Sequence, residues 1–241
     1  MEHLIIPDWP APANVKSLQT TRKGGLSAAP YASLNLGSHV GDNPLLVDRN
    51  RMLLAPLLPS EPLWLNQVHG ITVIDAAVAG CLPEADASFT THRAAVCAVM
   101  TADCLPLLLC DDQGSVVAAA HAGWRGLCDG VIEATAGALP VPASSLMAWL
   151  GPAIGPAAFE VGEEVRAAFV AHDAQAALAF IPGTGGKWMA DIFLLATQRL
   201  RALGITRIYG GGMCTYSDAA RFYSYRRDGV CGRMATLIWL A

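Results

Sequence analysis

His69, Cys104 and His121 stand at the edges of apolar runs, within Asn66-Gln67-Val68-His69-Gly70, Thr101-Ala102-Asp103-Cys104-Leu105-Pro106 and His121-Ala122-Gly123-Trp124-Arg125-Gly126. Two imidazoles and a thiolate can hold a zinc ion and leave the fourth tetrahedral position to water or substrate. Structural zinc sites close all four positions, so a three-donor set points to catalysis. The separations match no zinc-finger spacing and suit donors gathered from different strands and loops. Taken singly, each residue has an ordinary reading: a hydrogen-bonded histidine at a loop-to-strand junction, a histidine at a strand end, a core cysteine. Their polar company raises all three. Asn66 and Gln67, Thr101 and Asp103, and Arg125 each lie close by in the chain, and polar groups at strand ends must find hydrogen-bond partners.

Two chemistries fit. In the first, His69, Cys104 and His121 bind zinc, which lowers the pKa of a bound water enough to give a nucleophile near neutral pH. In the second, Cys104 is itself the nucleophile, His121 or His69 its base, and Asn66 or Gln67 orients the imidazole. The metal reading gives both histidines a role and is preferred. Asp103 either orients a ligand from behind or caps a turn. Copper could occupy the same donors through the soft thiolate. A multicopper oxidase, however, needs an electron-transfer copper and a separate trinuclear cluster, more imidazoles than the six histidines at 3, 39, 69, 92, 121 and 172 supply.

These residues need strands to carry them. Ala94–Met100, Leu105–Cys110 and Val116–Ala120 are short apolar runs bounded by turn signals, the pattern of buried strands. Asp111-Asp112-Gln113-Gly114 reads as a hairpin connection between the second and third. Leu146–Leu150 and Ile205–Tyr209 are further strands, and Ile71–Ile74 is strand-like. Helical pattern appears over Gly126–Leu139, over Gly162–Ala171 behind Glu163-Glu164, and from a cap at Asp191 to about Leu203. Strands and helices interleave without strict βαβ alternation, which favours a mixed-sheet α/β or α+β architecture over a Rossmann fold.

Of 241 residues 53% are hydrophobic and 15% charged, enough for a sizeable core and too few charges for a disordered tail. No repeat or linker divides the chain, so one domain over residues 1–241 is expected. A net charge of −4 gives no reason to expect nucleic acid. No stretch is apolar and long enough to cross a membrane, and Met1–Pro10 lacks a basic-then-apolar leader pattern; a cytoplasmic location is the expectation. The odd number of cysteines, without a C-x-x-C pair, argues against a disulfide framework. Thr20-Thr21-Arg22-Lys23-Gly24-Gly25 is a basic turn able to cradle an anion or to serve as a plain surface hairpin. Gly183-Thr184-Gly185-Gly186-Lys187 lacks the full phosphate-loop pattern because Trp188 follows the lysine.

The segments Thr21–Ser27, Ser33-Leu34-Asn35-Leu36-Gly37, Val40-Gly41-Asp42, Asn50-Arg51, the three above, Gly151-Pro152-Ala153-Ile154-Gly155 and Ser224–Gly229 run in order through nearly the whole chain. Together they resemble the YfiH/PgeF family, once labelled laccase-like polyphenol oxidase and grouped by fold with cysteine hydrolases. The resemblance implies a single α/β domain of mixed sheets sandwiched by helices, and zinc on His69, Cys104 and His121. It implies phosphorolysis of adenosine, inosine and methylthioadenosine, and deamination of adenosine. A second implied role is amide hydrolysis that edits peptidoglycan precursors carrying a wrong first amino acid. Cys104, His121, Arg22 and Asn35 are the expected catalytic residues, and Gln67, Arg125 and Lys23 the expected substrate contacts. Arg22, Lys23 and Arg125 are the cations available to a phosphate, and Tyr31, Trp64 or Phe222 could stack a purine. The expected partners are a purine nucleoside and phosphate, with no bearing on oligomeric state.

Overall fold

The computed structural model describes residues 3–241. Two stacked sheets carry the site. The first is six-stranded, in the order β12-β8-β6-β7-β4-β3: Arg207–Gly210, Leu146–Leu150, Leu105–Asp111, Val117–Ala122, Ala87–Thr90 and Val73–Asp75. Its outer pairs β12/β8 and β3/β4 are parallel and the pairs between them antiparallel, so the sheet is mixed. The second is antiparallel and four-stranded, β1 Leu4–Ile5, β2 Val15–Thr20, β13 Met234–Leu240 and β5 Val96–Thr101. A small third sheet joins β10 Phe180–Pro182, β11 Trp188–Ala190 and β9 Glu160–Val161. Among the described residues no helix is long and apolar enough to cross a membrane.

Strand alternation explains the layering. Leu105, Leu107 and Leu109 of β6 and Ala118, Ala120 and Ala122 of β7 point into a core with Leu127, Val131, Ile132, Leu195 and Leu200. Those last residues belong to the helices α2 Trp124–Asp129, α3 Val131–Ala138 and α5 Ile192–Ala202. Leu108, Cys110, Val117 and Ala119 face the other way, against Cys97, Val99, Ile238 and Leu240 of the second sheet. That sheet's far side buries Leu18, Val96, Ala98, Met100 and Leu237 under Leu34, Leu36, Leu54 and Trp64. The order is helices, sheet, sheet, then loops with the helix α1 Pro44–Met52.

The hairpin expected at Asp111–Gly114 is present. Asp111 accepts from the backbone N–H groups of Ser115 and Val116 at 2.7 and 3.1 Å, and Gly114 takes φ 64°. Asp191 caps α5, accepting from Leu194 N at 3.0 Å, and α4 Glu163–His172 begins at its two acids. The single helix expected over 126–139 is instead two, because Gly130 adopts φ 106° between α2 and α3. A left-handed glycine ends a helix readily. The glycine-rich loop 183–187 joins β10 to β11, with Gly183 N donating to Lys187 O.

Candidate metal centre

Pairing brings the three donors together. β6 and β7 match Leu105 with Ala122 and Pro106 with His121, so Cys104, one residue before β6, arrives beside the end of β7. Asp103 turns the chain there with φ 90°. Asp86, one residue before β4, accepts His121 N on its carbonyl at 2.7 Å. Its carboxylate reaches the His69 loop: Oδ1 accepts from His69 N at 2.9 Å, and Oδ2 from Val68 N at 3.1 Å and Gly70 N at 2.7 Å. Oδ1 also receives His121 Nδ1 at 2.8 Å. His69 itself has φ 62°, a conformation that costs a non-glycine residue free energy and that the Asp86 anchor offsets.

The donor atoms of His69, Cys104 and His121 lie within 4.8 Å of one another, and among the described residues this is the one such group that could hold a metal ion. A tetrahedral zinc bonded at about 2.3 Å to sulfur and about 2.0 Å to nitrogen sets those atoms roughly 3.5 Å apart. Cys104 Sγ is 3.8 Å from His69 Nε2. The two imidazoles meet edge to face with centroids 4.7 Å apart. Because Asp86 holds Nδ1 of His121, Nε2 is the nitrogen left for a metal, the carboxylate–histidine arrangement common behind metal ligands. The donor set therefore fits a zinc-type ion.

Glycines clear the space. A Cβ on Gly123 would lie 2.8 Å from His69 Cδ2 and 3.1 Å from Cys104 Sγ, and one on Gly126 2.8 Å from Gly70 O. The start of α2 thus packs directly on the donors only because these positions lack side chains.

Charge at the site is set by the same contacts. Burial opposes ionisation of the Cys104 thiol, but the charge and hydrogen bond of His121, joined by His69, outweigh it and bring its pKa to about 6. Burial favours neutral His121, yet Cys104 and Asp86 push its pKa up to about 9. Asp86 stays below the usual carboxylate range: burial opposes this, and His121 and the loop N–H groups prevail. Without a metal, the pair is a thiolate beside an imidazolium, a reactive form of cysteine.

Cys104 lines two cavities. The larger, about 360 Å³, is lined by Gln67, His69, Thr101, His121, Arg233 and His39, among others. The smaller, about 170 Å³, is lined by Trp124, Ile154, Phe159, Ile192 and Arg226. Tyr225 borders both.

The other expected site residues are placed less centrally. Gln67 lines the larger cavity, but its amide is bonded to both backbone groups of Met100, donating at 2.9 Å and accepting at 2.7 Å. Arg22 donates to Ala32 O and Ala219 O and lies 4.8 Å over the Tyr223 ring. Lys23 is exposed, and Arg125 is exposed over Trp124. Asn35 is fully buried, accepting from Gly37 N and Arg233 N and donating to Gly37 O and Asp42. None of these last four lines either cavity. Among the aromatics, Phe222 is core, Trp64 lies under Arg51 and Tyr31 bonds to Val40 O; the rings beside Cys104 are Trp124, Phe159 and Tyr225.

Asp103 does not orient a donor. Its oxygens accept from Thr215 Oγ1 at 2.6 Å, Ser224 Oγ at 3.0 Å and Arg226 N at 2.7 Å, fastening the C-terminal loop beside the cavities. The carboxylate that does orient His121 is Asp86, in Ala85-Asp86-Ala87-Ser88. A charged residue inside an otherwise small, apolar stretch was the available signal, since a fully buried carboxylate needs several donors.

Residues 16–241 match the family model described as multi-copper polyphenol oxidoreductase laccase. A Pseudomonas aeruginosa protein named purine nucleoside phosphorylase is 56% identical over 241 residues, 100% of this chain and 99% of its own length. Escherichia coli YfiH, also named purine nucleoside phosphorylase, is 54% identical with 100% of both chains covered. A crystal structure of a Neisseria meningitidis protein, 52% identical, superposes with TM-score 0.95 over 99% of both chains. YlmD of Geobacillus stearothermophilus, 30% identical, gives 0.88 over 96% of this chain and 93% of its own.

Proposed function

The chain belongs to the YfiH family, described as multi-copper polyphenol oxidoreductase laccase, and from that membership we propose that it is a zinc-dependent purine nucleoside enzyme. The observation that carries the reading is the three-donor group His69, Cys104 and His121 opening onto a cavity of about 360 Å³. The relatives' names supply the substrate class. Copper is the alternative ion at the same donors, but one group of two histidines and a cysteine is far short of a multicopper set.

Zinc bound there supplies a Lewis acid that polarises an oxygen and lowers the pKa of water. The residues supply the geometry. Asp86 fixes the His121 ring and the His69 loop, and Cys104 contributes the thiolate. In phosphorolysis of adenosine, inosine or methylthioadenosine, a phosphate oxygen bonds to C1′ while the C1′–N9 electron pair leaves with the purine. The proton of hydrogenphosphate ends on the purine nitrogen. In deamination of adenosine, water adds at C6 and ammonia leaves, giving inosine. Asn35 acts by position, through Gly37 and Arg233. Arg125 stacks over Trp124, which lines the smaller cavity, and brings its charge to that neighbourhood from outside the wall.

The test is incubation of the purified protein with adenosine or inosine, with and without phosphate, following adenine, hypoxanthine and inosine by chromatography. Phosphate-dependent release of base supports phosphorolysis; no change in either nucleoside refutes it.

A second reading is favoured by the ordering Cys104, His121, Asp86, which matches a nucleophile–base–orienter set. Here Cys104 Sγ bonds to the acyl carbonyl carbon of the amide that joins a wrong first amino acid to a peptidoglycan precursor, and the C–N bond to that amino acid breaks. The amine leaves with a proton from His121, and water then cleaves the thioester. A trapped acyl-cysteine at position 104 distinguishes this route.

A further inference from the structure

The larger cavity has on its wall a guanidinium, Arg233, that no carboxylate among the described residues pairs with. We propose that orthophosphate is held there by Arg233 and His39, a phosphate seat for the phosphorolysis reading and dependent on it for its catalytic meaning.

The three cations expected to bind phosphate are elsewhere. Arg22 spends Nε and Nη1 on carbonyls and stacks on Tyr223, and neither Lys23 nor Arg125 lines this cavity. Arg233 and His39 do, and no Asp or Glu joins them.

Arg233 is built to present a free guanidinium edge. Its Nη1 donates to Cys231 O at 3.0 Å and Gly232 O at 3.1 Å. Among the described residues its Nε and Nη2 have no hydrogen-bond partner, and no carboxylate pairs with it. Half-buried arginines normally find an acid; one without, facing a cavity, is set for a bidentate anion. Its stem is fixed: Asn35 Oδ1 accepts the Arg233 N–H at 2.9 Å, and Gly37 leaves room where a Cβ would lie 2.8 Å from Arg233 Cγ.

His39 adds a ring N–H. Burial, Arg233 and Arg51 all keep it neutral by lowering its pKa, so it serves as a donor rather than as a charge. Thr101, 2% exposed and in the same wall, carries an Oγ1 with no partner. Buried hydroxyls are rarely left so, and a phosphate oxygen would complete its bonding after a small rotation. The cavity, at about 360 Å³, has room for the anion beside a ribose. Phosphate so held stands next to the His69–Cys104–His121 group, where its oxygen can reach C1′.

The experiment uses the metal-loaded protein, with Arg233→Gln, Arg233→Lys and His39→Gln compared with wild type. Inorganic phosphate is titrated by calorimetry, and KM for phosphate and for inosine are measured separately. Losing the bidentate charge should weaken phosphate binding and raise its KM by at least about tenfold in Arg233→Gln, with KM for inosine within about twofold. Arg233→Lys should recover part of the loss, and His39→Gln, at an exposed position, should cost severalfold with the fold intact. Unchanged phosphate affinity in both Arg233→Gln and His39→Gln, equal rises in both KM values, or no saturable phosphate binding by wild type overturns the proposal. Arg233-dependent phosphate binding without release of base overturns phosphorolysis and leaves the anion seat standing. Phosphorolysis indifferent to Arg233 and His39 does the reverse.

Discussion

Asp86 Oδ1 accepts the Nδ1–H of His121 at 2.8 Å while the same carboxylate gathers the backbone N–H groups of Val68, His69 and Gly70. One buried side chain therefore sets both the ring of one donor and the loop of another. The pairing of β4 with β7 places Asp86 beside His121, and the His69 loop rests on the same carboxylate.

Asp86→Asn should expose that dependence. An amide cannot accept from all four donors, and its N–H₂ competes with the loop's own N–H groups. Metal affinity, measured by competition with a chromophoric chelator, should fall about 10–100-fold, the usual effect of losing the partner behind a ligating histidine. Affinity equal to wild type would mean that Asp86 serves the fold alone.

The donors are legible in sequence because each stands at the edge of an apolar run in polar company, and the β6–β7 hairpin because Asp111–Gly114 is a turn by composition. Asp86 was not legible: its partners lie at 68–70 and 121, and pairing across strands leaves no local pattern. Met234–Leu240 becomes β13, paired on both sides by β2 and β5. A strand buried on both faces reads as an unbroken apolar run that periodicity cannot assign. The sequence points to Arg22, Lys23 and Arg125 as cations for a phosphate because charge is visible in it; that Arg22 gives Nε and Nη1 to the carbonyls of Ala32 and Ala219 is not.

Cys104→Ser separates ligand from nucleophile. A hydroxyl binds zinc far more weakly than a thiolate, so metal content and turnover should be lost together, with added zinc restoring some of each. If metal content stays near one per chain while turnover vanishes, and wild type yields a covalent acyl or ribosyl adduct on Cys104, the nucleophile reading prevails.

The metal itself is the third expectation. Elemental analysis of gently purified protein should give about one zinc per chain for a single three-donor site. Several coppers per chain would be incompatible with the one donor group among the described residues.

Chelator-treated protein should show the Cys104 ionisation directly. With the thiol at about 6, iodoacetamide labelling at Cys104 should rise to half its plateau near that pH, well below an ordinary cysteine. The linkage has a definite sign. The thiol's folded pKa is depressed, so its contribution to stability is lost as pH falls through about 6. His121's is raised, so its contribution is lost as pH rises through about 9. Metal-free protein should therefore be most stable between those limits, and a melting temperature that climbs steadily past pH 9 would contradict the ion pair. Zinc should suppress labelling across the range.

Two glycine-to-alanine changes test whether space at the donors is specific. Gly123 has φ −63° and ψ 157°, so alanine fits its backbone, yet the new Cβ would press on His69 Cδ2 at 2.8 Å and Cys104 Sγ at 3.1 Å. Gly137, inside α3, meets nothing within 4 Å. Gly137→Ala should stabilise the fold by about 0.5–1 kcal/mol through helix propensity and a less flexible unfolded chain, and leave metal affinity alone. Gly123→Ala gains the same restriction of the unfolded chain, so its global stability should change little, but the donors must move apart by tenths of an ångström. Small displacements are costly where three donors converge on one ion, and metal affinity should drop by about tenfold or more. Equal metal affinity in the two variants would show that the donors tolerate displacement, and that the close approach of α2 is packing without consequence for the site.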